Sequence, residues 1–404
     1  MSDAATLAEI PAKDVFHFDL YNDERLKVPD IQAGYATLLR DAPDIFWTPA
    51  NGGHWVVTRH DLITEVMKDH VHFSARERDI PRTGIVQRMI PLFLDPPEHG
   101  GYRGELMRYF SPKVVRDLEV RMREWAVRLI DAVADKEVCD FSEEIAARFP
   151  VSIFMELMGL PLDRFTEFRV IVRDYFGSYQ DAAKRTVMRD FLIAEMDKLL
   201  DQRRREPRED LMSHLVTMEI RGRKLDLDEI RSIALMMFIA GLDTVAGTLG
   251  FTYRHLAGDP ALQDRLRENP QDIPKFVEES LRRFAVVNPP RLVDDDYDFA
   301  GVHLRKGDMI AILLPCAGMD DRNVERPAEF DIDRPNREMI GFGTGVHVCL
   351  GNFLARAEMR IITEEWLKRV PRFRMVPGTD PRSRLSSIIA LDRLDLEWGS
   401  RLES

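Results

Sequence analysis

Between positions 232 and 251 this chain carries a single charge, Asp243, in twenty residues. A helix that is apolar all round has no face to give to water, so it sits at the centre of a large fold or in a membrane. Its start is marked by Asp226 with Glu229 three residues on, the pattern of a capping box. Gly258 and Pro260 mark its end near Leu256. At about 1.5 Å per residue the predicted helix is roughly 45 Å long, enough to pass through a whole molecule. Twenty apolar residues also suffice to span a bilayer, but an aspartate near the midpoint is costly there. A buried core helix is therefore the expectation, and 404 residues are enough to wrap one, as two or three average domains or as one large one.

A second stretch carries chemistry: Phe342-Gly343-Thr344-Gly345-Val346-His347-Val348-Cys349-Leu350-Gly351. Glycines at 343, 345 and 351 let backbone approach whatever sits there. A helix is predicted to begin directly after the cysteine. A thiol at a helix N-terminus meets free N–H donors and the positive end of the dipole, which favour thiolate. A thiolate is a metal ligand or a nucleophile. The plainer alternative is a small buried core cysteine beside a turn.

Other segments supply pairs at helical spacing. Asp95-Pro96-Pro97-Glu98-His99 opens a helix running through Arg103 to Tyr109, with His99 and Arg103 on one face. Gly100 and Gly101 weaken that helix without an evident reason. Within the central helix, Ala240-Gly241-Leu242-Asp243-Thr244 combines a helix-weakening glycine with a hydroxyl able to bond back to the Ala240 carbonyl. Together these could open one turn into a small groove. Glu279 and Arg282, three apart, permit an ion pair that at a surface would contribute only a few tenths of a kcal/mol. Residues 45–48 and 54–58 read as a hairpin across a glycine turn. Residues 299–304 and 308–312 read as small paired strands, and 386–398 as a terminal β segment. Positions 74–94 lack periodicity, and a long loop of this kind is often a pocket wall or lid.

Net charge of −12 and pI near 5.4 argue against nucleic acid or an anionic membrane as partner. The three cysteines, Cys139, Cys316 and Cys349, lack metal-ligand spacing. A reducing cytoplasm fits them better than a disulfide framework does. The first residues carry no basic region followed by an apolar run, so no signal peptide or anchor is expected.

The pattern Phe-x-x-Gly-x-x-x-Cys-x-Gly resembles the haem-binding loop of the cytochromes P-450, in which a cysteine thiolate holds the iron. By that resemblance the chain is expected to be one P-450 domain over 1–404, mainly α with small β-sheets (α+β), its long central helix crossing over haem b. Cys349 is then the axial iron ligand, and Phe342, Gly343 and Gly351 shape the loop around its sulfur. His99, Arg103, Arg291 and His347 match contacts to the haem propionates. Ala240-Gly241-x-Asp243-Thr244 matches the oxygen groove, in which Asp243 and Thr244 pass protons toward the reacting dioxygen. Glu279, Arg282 and Arg334 match a buried supporting network rather than a surface pair.

The implied activity is insertion of one atom of dioxygen into a C–H bond. Segments at 94–98, 241–245 and 278–284 most resemble the camphor-hydroxylating bacterial subfamily, which implies a compact apolar terpenoid. The departure is Gln87, standing where that subfamily has the tyrosine that bonds the camphor ketone. This points to another monoterpenoid or a norisoprenoid. Gln87, Met89, Leu92, Met236, Ile239, Val286, Val287 and Ile388 are the candidate substrate contacts. With no flavin or iron–sulfur segment in the chain, the resemblance implies a separate [2Fe-2S] ferredoxin with an NADH-dependent reductase. Arg103, Arg337 and Arg356 are candidate docking cations. Two rival readings are a peroxide-using haem-thiolate enzyme and a non-enzymatic haem or ligand-binding protein.

Overall fold

The computed structural model describes residues 10–77, 79–82, 89–177, 181–335 and 339–402. Helices dominate, and the apolar segment lies among them as expected. It forms two helices end to end, Leu227–Leu242 and Thr244–Ala257. Asp226 accepts from the Glu229 N–H at 2.8 Å, and the Glu229 carboxylate accepts from the Asp226 N–H at 2.8 Å, completing the capping box. The break falls at Asp243 (φ −120, ψ −21). Together the two helices are long and apolar enough to cross a bilayer, yet most of that surface is covered by the fold.

Several long helices enclose this pair. Arg148–Met158 packs so closely that a Cβ on Gly241 would meet the Phe154 ring at 2.6–3.0 Å. Gly241 therefore serves this helix contact, and the opening of the helix comes two residues later. Pro112–Ala134 and Asn352–Arg369 are joined by Glu119–Arg360 at 2.8 Å and Arg123–Glu364 at 2.7 Å. Ile273–Arg283 bonds to the latter helix through Glu278 and Arg356 at 2.5 Å.

The main sheet has five strands in the order Ile45–Thr48, His54–Val57, Met309–Ile312, Pro290–Val293, Phe73–Ser74. The predicted 45–58 hairpin forms its edge, in register Phe46 with Val56. The predicted pairing between 299–304 and 308–312 does not form. Ala300 (φ 51) and Gly301 (φ 84) make a tight turn, so Val302–Leu304 folds back on Tyr297–Phe299. Met309–Ile312 is left to join the large sheet beside Pro290–Val293. The terminal β segment is likewise divided into short strands at Ala390–Leu391 and Asp395–Trp398.

The two glycines of the Glu98–Tyr109 helix have different reasons. A Cβ on Gly101 would meet Ile220 Cγ2 at 3.2 Å, so the glycine admits the Glu219–Ile220 strand. At Gly100 no atom lies within 4 Å of that position. Gly100→Ala is therefore expected to raise stability by about 0.5 kcal/mol, and Gly101→Ala to lower it, as read from paired urea melts.

Candidate haem site

The cysteine loop is built by close approach. Gly343 and Gly345 both have φ of 70°. A Cβ on Gly343 would stand 2.6 Å from Met67 Cε, and one on Gly345 2.6 Å from the Met67 carbonyl oxygen. The His60–Lys68 helix thus fits against a loop that only glycine allows. Gly351 differs: its φ is −87 and no atom lies within 4 Å of its Cβ position, so packing does not require a glycine there. The Cys349 N–H donates to the Phe342 carbonyl at 2.9 Å, and Asn352 Nδ2 donates to the Cys349 carbonyl at 2.8 Å. The Arg356 guanidinium lies 4.7 Å from the centre of the Phe342 ring.

The expectation of a thiol pulled toward thiolate needs correction. Burial pushes the Cys349 thiol up. The Gly351 N–H, Arg103 and Arg356 pull it down without winning. A metal ion bound at this sulfur would displace its proton.

Beside this loop lies a basic, under-bonded pocket. His99 is 2% exposed, and its Nε2 is buried with no hydrogen-bond partner among the described residues. Its ring lies 4.4 Å from that of His347. Burial and the nearby Arg103 lower the His99 pKa to about 4. Arg103 donates to the Val348 carbonyl next to the cysteine. Arg291 is also 2% exposed, donates to the Pro290 carbonyl at 2.9 Å, and has no ion pair among the described residues. Its burial lowers its pKa to about 10. A buried guanidinium normally has a carboxylate partner. A buried ring nitrogen without a partner and a buried guanidinium without a carboxylate suit a ligand that brings its own carboxylates, and a haem with two propionates fits that demand.

On the central helix, Ala240 is exposed within a run of buried residues, as expected of a residue facing a cavity. Thr244 Oγ1 donates to the Ala240 carbonyl at 3.3 Å, the back-bond expected from the sequence. Asp243 Oδ2 meets Arg384 Nη2 at 3.1 Å. Arg384 lies in the Ser383–Arg384 strand, more than a hundred positions away, and no local pattern pointed to it.

Several candidate substrate contacts come together. Val287 and Ile388 pair through an isolated bridge, and the Ile389 N–H donates to the Val286 carbonyl at 2.8 Å. Met89, Met236, Ile239, Val286 and Ile388 are all buried, and Leu92 packs against the same core. The Ile90 N–H bonds to Ser232 Oγ at 3.1 Å, tying the segment after Met89 to the central helix. Gln87 lies outside the described residues, as does Arg337. Of the candidate docking cations, Arg103 and Arg356 both bond within the chain. Arg103 is turned to the Val348 carbonyl, and Arg356 is held by Glu278 and Phe342.

Comparison with known proteins gives concordant results. The cytochrome P450 family model matches residues 151–394. A probable cytochrome P450 127A1 of Sinorhizobium fredii is 33% identical over 399 residues, 96% of each chain. Nocardicin C N-oxygenase of Nocardia uniformis is 31% identical over 89% of this chain and 93% of its own. The crystal structure of CYP101J2 superposes with a TM-score of 0.88 at 35% identity, covering 96% of this chain and 98% of that one. That of CYP101C1 gives 0.89 at 30% identity, covering 97% and 99%.

Proposed function

The chain belongs to the cytochrome P450 family and is a haem-b monooxygenase, and from that premise we propose that it hydroxylates a small apolar terpenoid, a monoterpenoid or norisoprenoid. Its electrons come from a separate [2Fe-2S] ferredoxin served by an NADH-dependent reductase. It works as one domain in the cytoplasm. Haem b supplies the redox-active iron at which dioxygen is activated.

In this reading Cys349 holds the iron, and the Phe342 ring shields its sulfur from water. His99, Arg103, Arg291 and His347 receive the propionates. His99 Nε2 then gains the partner it lacks, and the Arg291 guanidinium gains a carboxylate. Asp243 takes up a proton from the solvent side, and the Thr244 hydroxyl, released from the Ala240 carbonyl, passes it inward. Arg384 Nη2 fixes which way the Asp243 carboxylate faces.

What supports the substrate class is the apolar, buried character of the candidate contacts. Met236 and Ile239 on the central helix, and Met89, Val286 and Ile388 elsewhere, are buried apolar side chains, and in this reading they form the wall of the substrate pocket. Such a wall binds by burial, at about 25 cal/mol per Å² of apolar surface, and favours a rigid hydrocarbon ligand over a charged one.

The test is a ligand titration joined to turnover. Terpenoids added to purified protein are expected to shift the haem Soret band as water leaves the iron, with micromolar affinity. Charged amino acids are expected to leave it unchanged. A hydroxylated product is expected with ferredoxin, reductase and NADH, and much less with peroxide alone. Turnover supported by peroxide and not by any ferredoxin would replace this reading with that of a peroxide-using enzyme.

A further inference from the structure

We propose that Asn288, through its hydrogen bond to Tyr35, is a positioning residue for substrate. The pair sets where the wall of Val286, Val287 and Ile388 stands, and so which C–H bond of a terpenoid is presented for reaction. The proposal rests on the terpenoid reading above and names a specificity determinant that lies behind the wall rather than on it.

These wall residues come from two short irregular segments. One, 284–289, runs between the end of the Ile273–Arg283 helix and the start of the Pro290–Val293 strand. The other, 385–389, runs between the Ser383–Arg384 and Ala390–Leu391 strands. They bond to each other: the Ile389 N–H donates to the Val286 carbonyl at 2.8 Å, and the Asn288 N–H to the Ser387 carbonyl at 3.2 Å. Such bonds hold the two segments together without holding the pair in place. Two outer ties go to one helix, Ile31–Asp41. Just before the first segment, Arg283 Nη2 donates to Asp30, the N-cap of that helix, at 2.7 Å. Just after Val287, Asn288 Nδ2 donates to the Tyr35 hydroxyl at 3.3 Å. The Ile312 N–H adds a backbone bond to the Pro289 carbonyl at 3.1 Å. Asp30 and Tyr35 are thus two clamps on one strut, with Val286 and Val287 between them in the chain.

The chemistry of the pair separates it from ordinary packing. Tyr35 is fully buried and Asn288 is 2% exposed. Asn288 Oδ1 is also buried, with no partner among the described residues. Burial pushes the Tyr35 hydroxyl far up, so it stays protonated and neutral. A buried acceptor left unpaired is destabilising, and an apolar pair of the same shape would avoid that loss. What an apolar pair lacks is direction. Burial holds a hydrocarbon without orienting it, so a rigid apolar substrate takes its orientation from the shape of the wall. Hydrogen bonds fix both distance and angle, and here they fix the backbone that carries the wall. A misplacement of about 1 Å at a reacting centre is enough to change a rate many-fold.

The test uses the haem-loaded protein with a ferredoxin that reduces it, reductase and NADH, and takes borneol and α-ionone as probes. Asn288→Ala and Tyr35→Phe are each expected to shift the ratio of hydroxylated regioisomers at least about 3-fold, in the same direction, and to lower the product formed per NADH. Haem content and the carbonyl spectrum are expected to stay those of the wild type. Urea melts of the two variants and of the double variant are expected to show losses that do not add, as for residues in direct contact. Thr48→Val separates position from stability. It removes another fully buried hydroxyl, one that donates to the Phe18 carbonyl at 2.8 Å from the edge strand of the main sheet. It is expected to lower stability and leave the product ratio unchanged. Wild-type product ratios in both Asn288→Ala and Tyr35→Phe would overturn the proposal. So would a shift in Asn288→Ala that Tyr35→Phe does not reproduce, or an equal shift in Thr48→Val. Failure of the wild-type protein to bind and hydroxylate either probe would overturn the terpenoid reading, and the proposal with it.

Discussion

Cys349→Ser is expected to give a folded protein that has lost the red-shifted carbonyl Soret band of a thiolate-bound haem, with hydroxylation reduced more than about 100-fold. The fold should survive because the interactions that shape the loop at this position are made by backbone atoms. The Cys349 N–H donates to Phe342 and its carbonyl accepts from Asn352, and serine keeps both. What serine lacks is a group that ionises onto iron. Even for thiol, burial works against ionisation at this position, and a hydroxyl is a much weaker acid. Loss of a residue that merely supports a metal ligand typically costs 10–100-fold in affinity or activity, so loss of the ligand should exceed that range. Spectra of the reduced, carbonylated variant, taken with its circular dichroism, check the point. An unchanged red-shifted band would remove Cys349 as the ligand.

Much of this molecule could be read from local patterns because local physics governs those parts. The capping box and the first hairpin form where the sequence places them. The Thr244 back-bond also forms as read. Where the structure departs from local pattern, the cause is a partner distant in the chain. Gly241 reads locally as a helix weakener, but the Phe154 ring is what requires it. Residues 308–312 read as the partner of 299–304, but Ala300 and Gly301 close a turn and leave that strand to the large sheet. Arg384 went unseen because nothing in positions 383–384 signals a carboxylate in the middle of the central helix. The resemblance carried the propionate residues, where spacing alone gave only a polar face.

The same contrast makes Glu279 the most sensitive residue outside the cysteine loop. Glu279→Ala is expected to cost about 3–5 kcal/mol, most of the stability of an ordinary domain. Spacing alone would allow a surface pair, but Glu279 is fully buried, Arg282 is 1% exposed and Arg334 is 7% exposed. Glu279 accepts from Arg282 Nη2 at 2.7 Å and Nε at 2.9 Å, and from the Asp331 N–H at 3.0 Å. Arg282 in turn donates to the carbonyls of Gly318, Pro327 and Glu329, and Arg334 to those of Glu325, Arg326 and Glu329. Removing the carboxylate strands two guanidinium charges inside the protein while their carbonyl partners remain, which is why the loss exceeds the value of one bond. The haem loop depends on the same support. A Cβ on Gly341 would meet the Leu281 carbonyl at 2.6 Å, so the chain enters the loop directly against the helix that carries Glu279. Glu279→Ala should therefore lose bound haem as well as stability. Glu279→Gln, which keeps the shape and some acceptors, should lose less of both. Glu329→Ala, at an exposed pair with Arg326, should lose nearly nothing. Urea midpoints and haem content per chain, measured together on the three variants, test that order. Equal behaviour of Glu279→Ala and Glu329→Ala would refute the network's role.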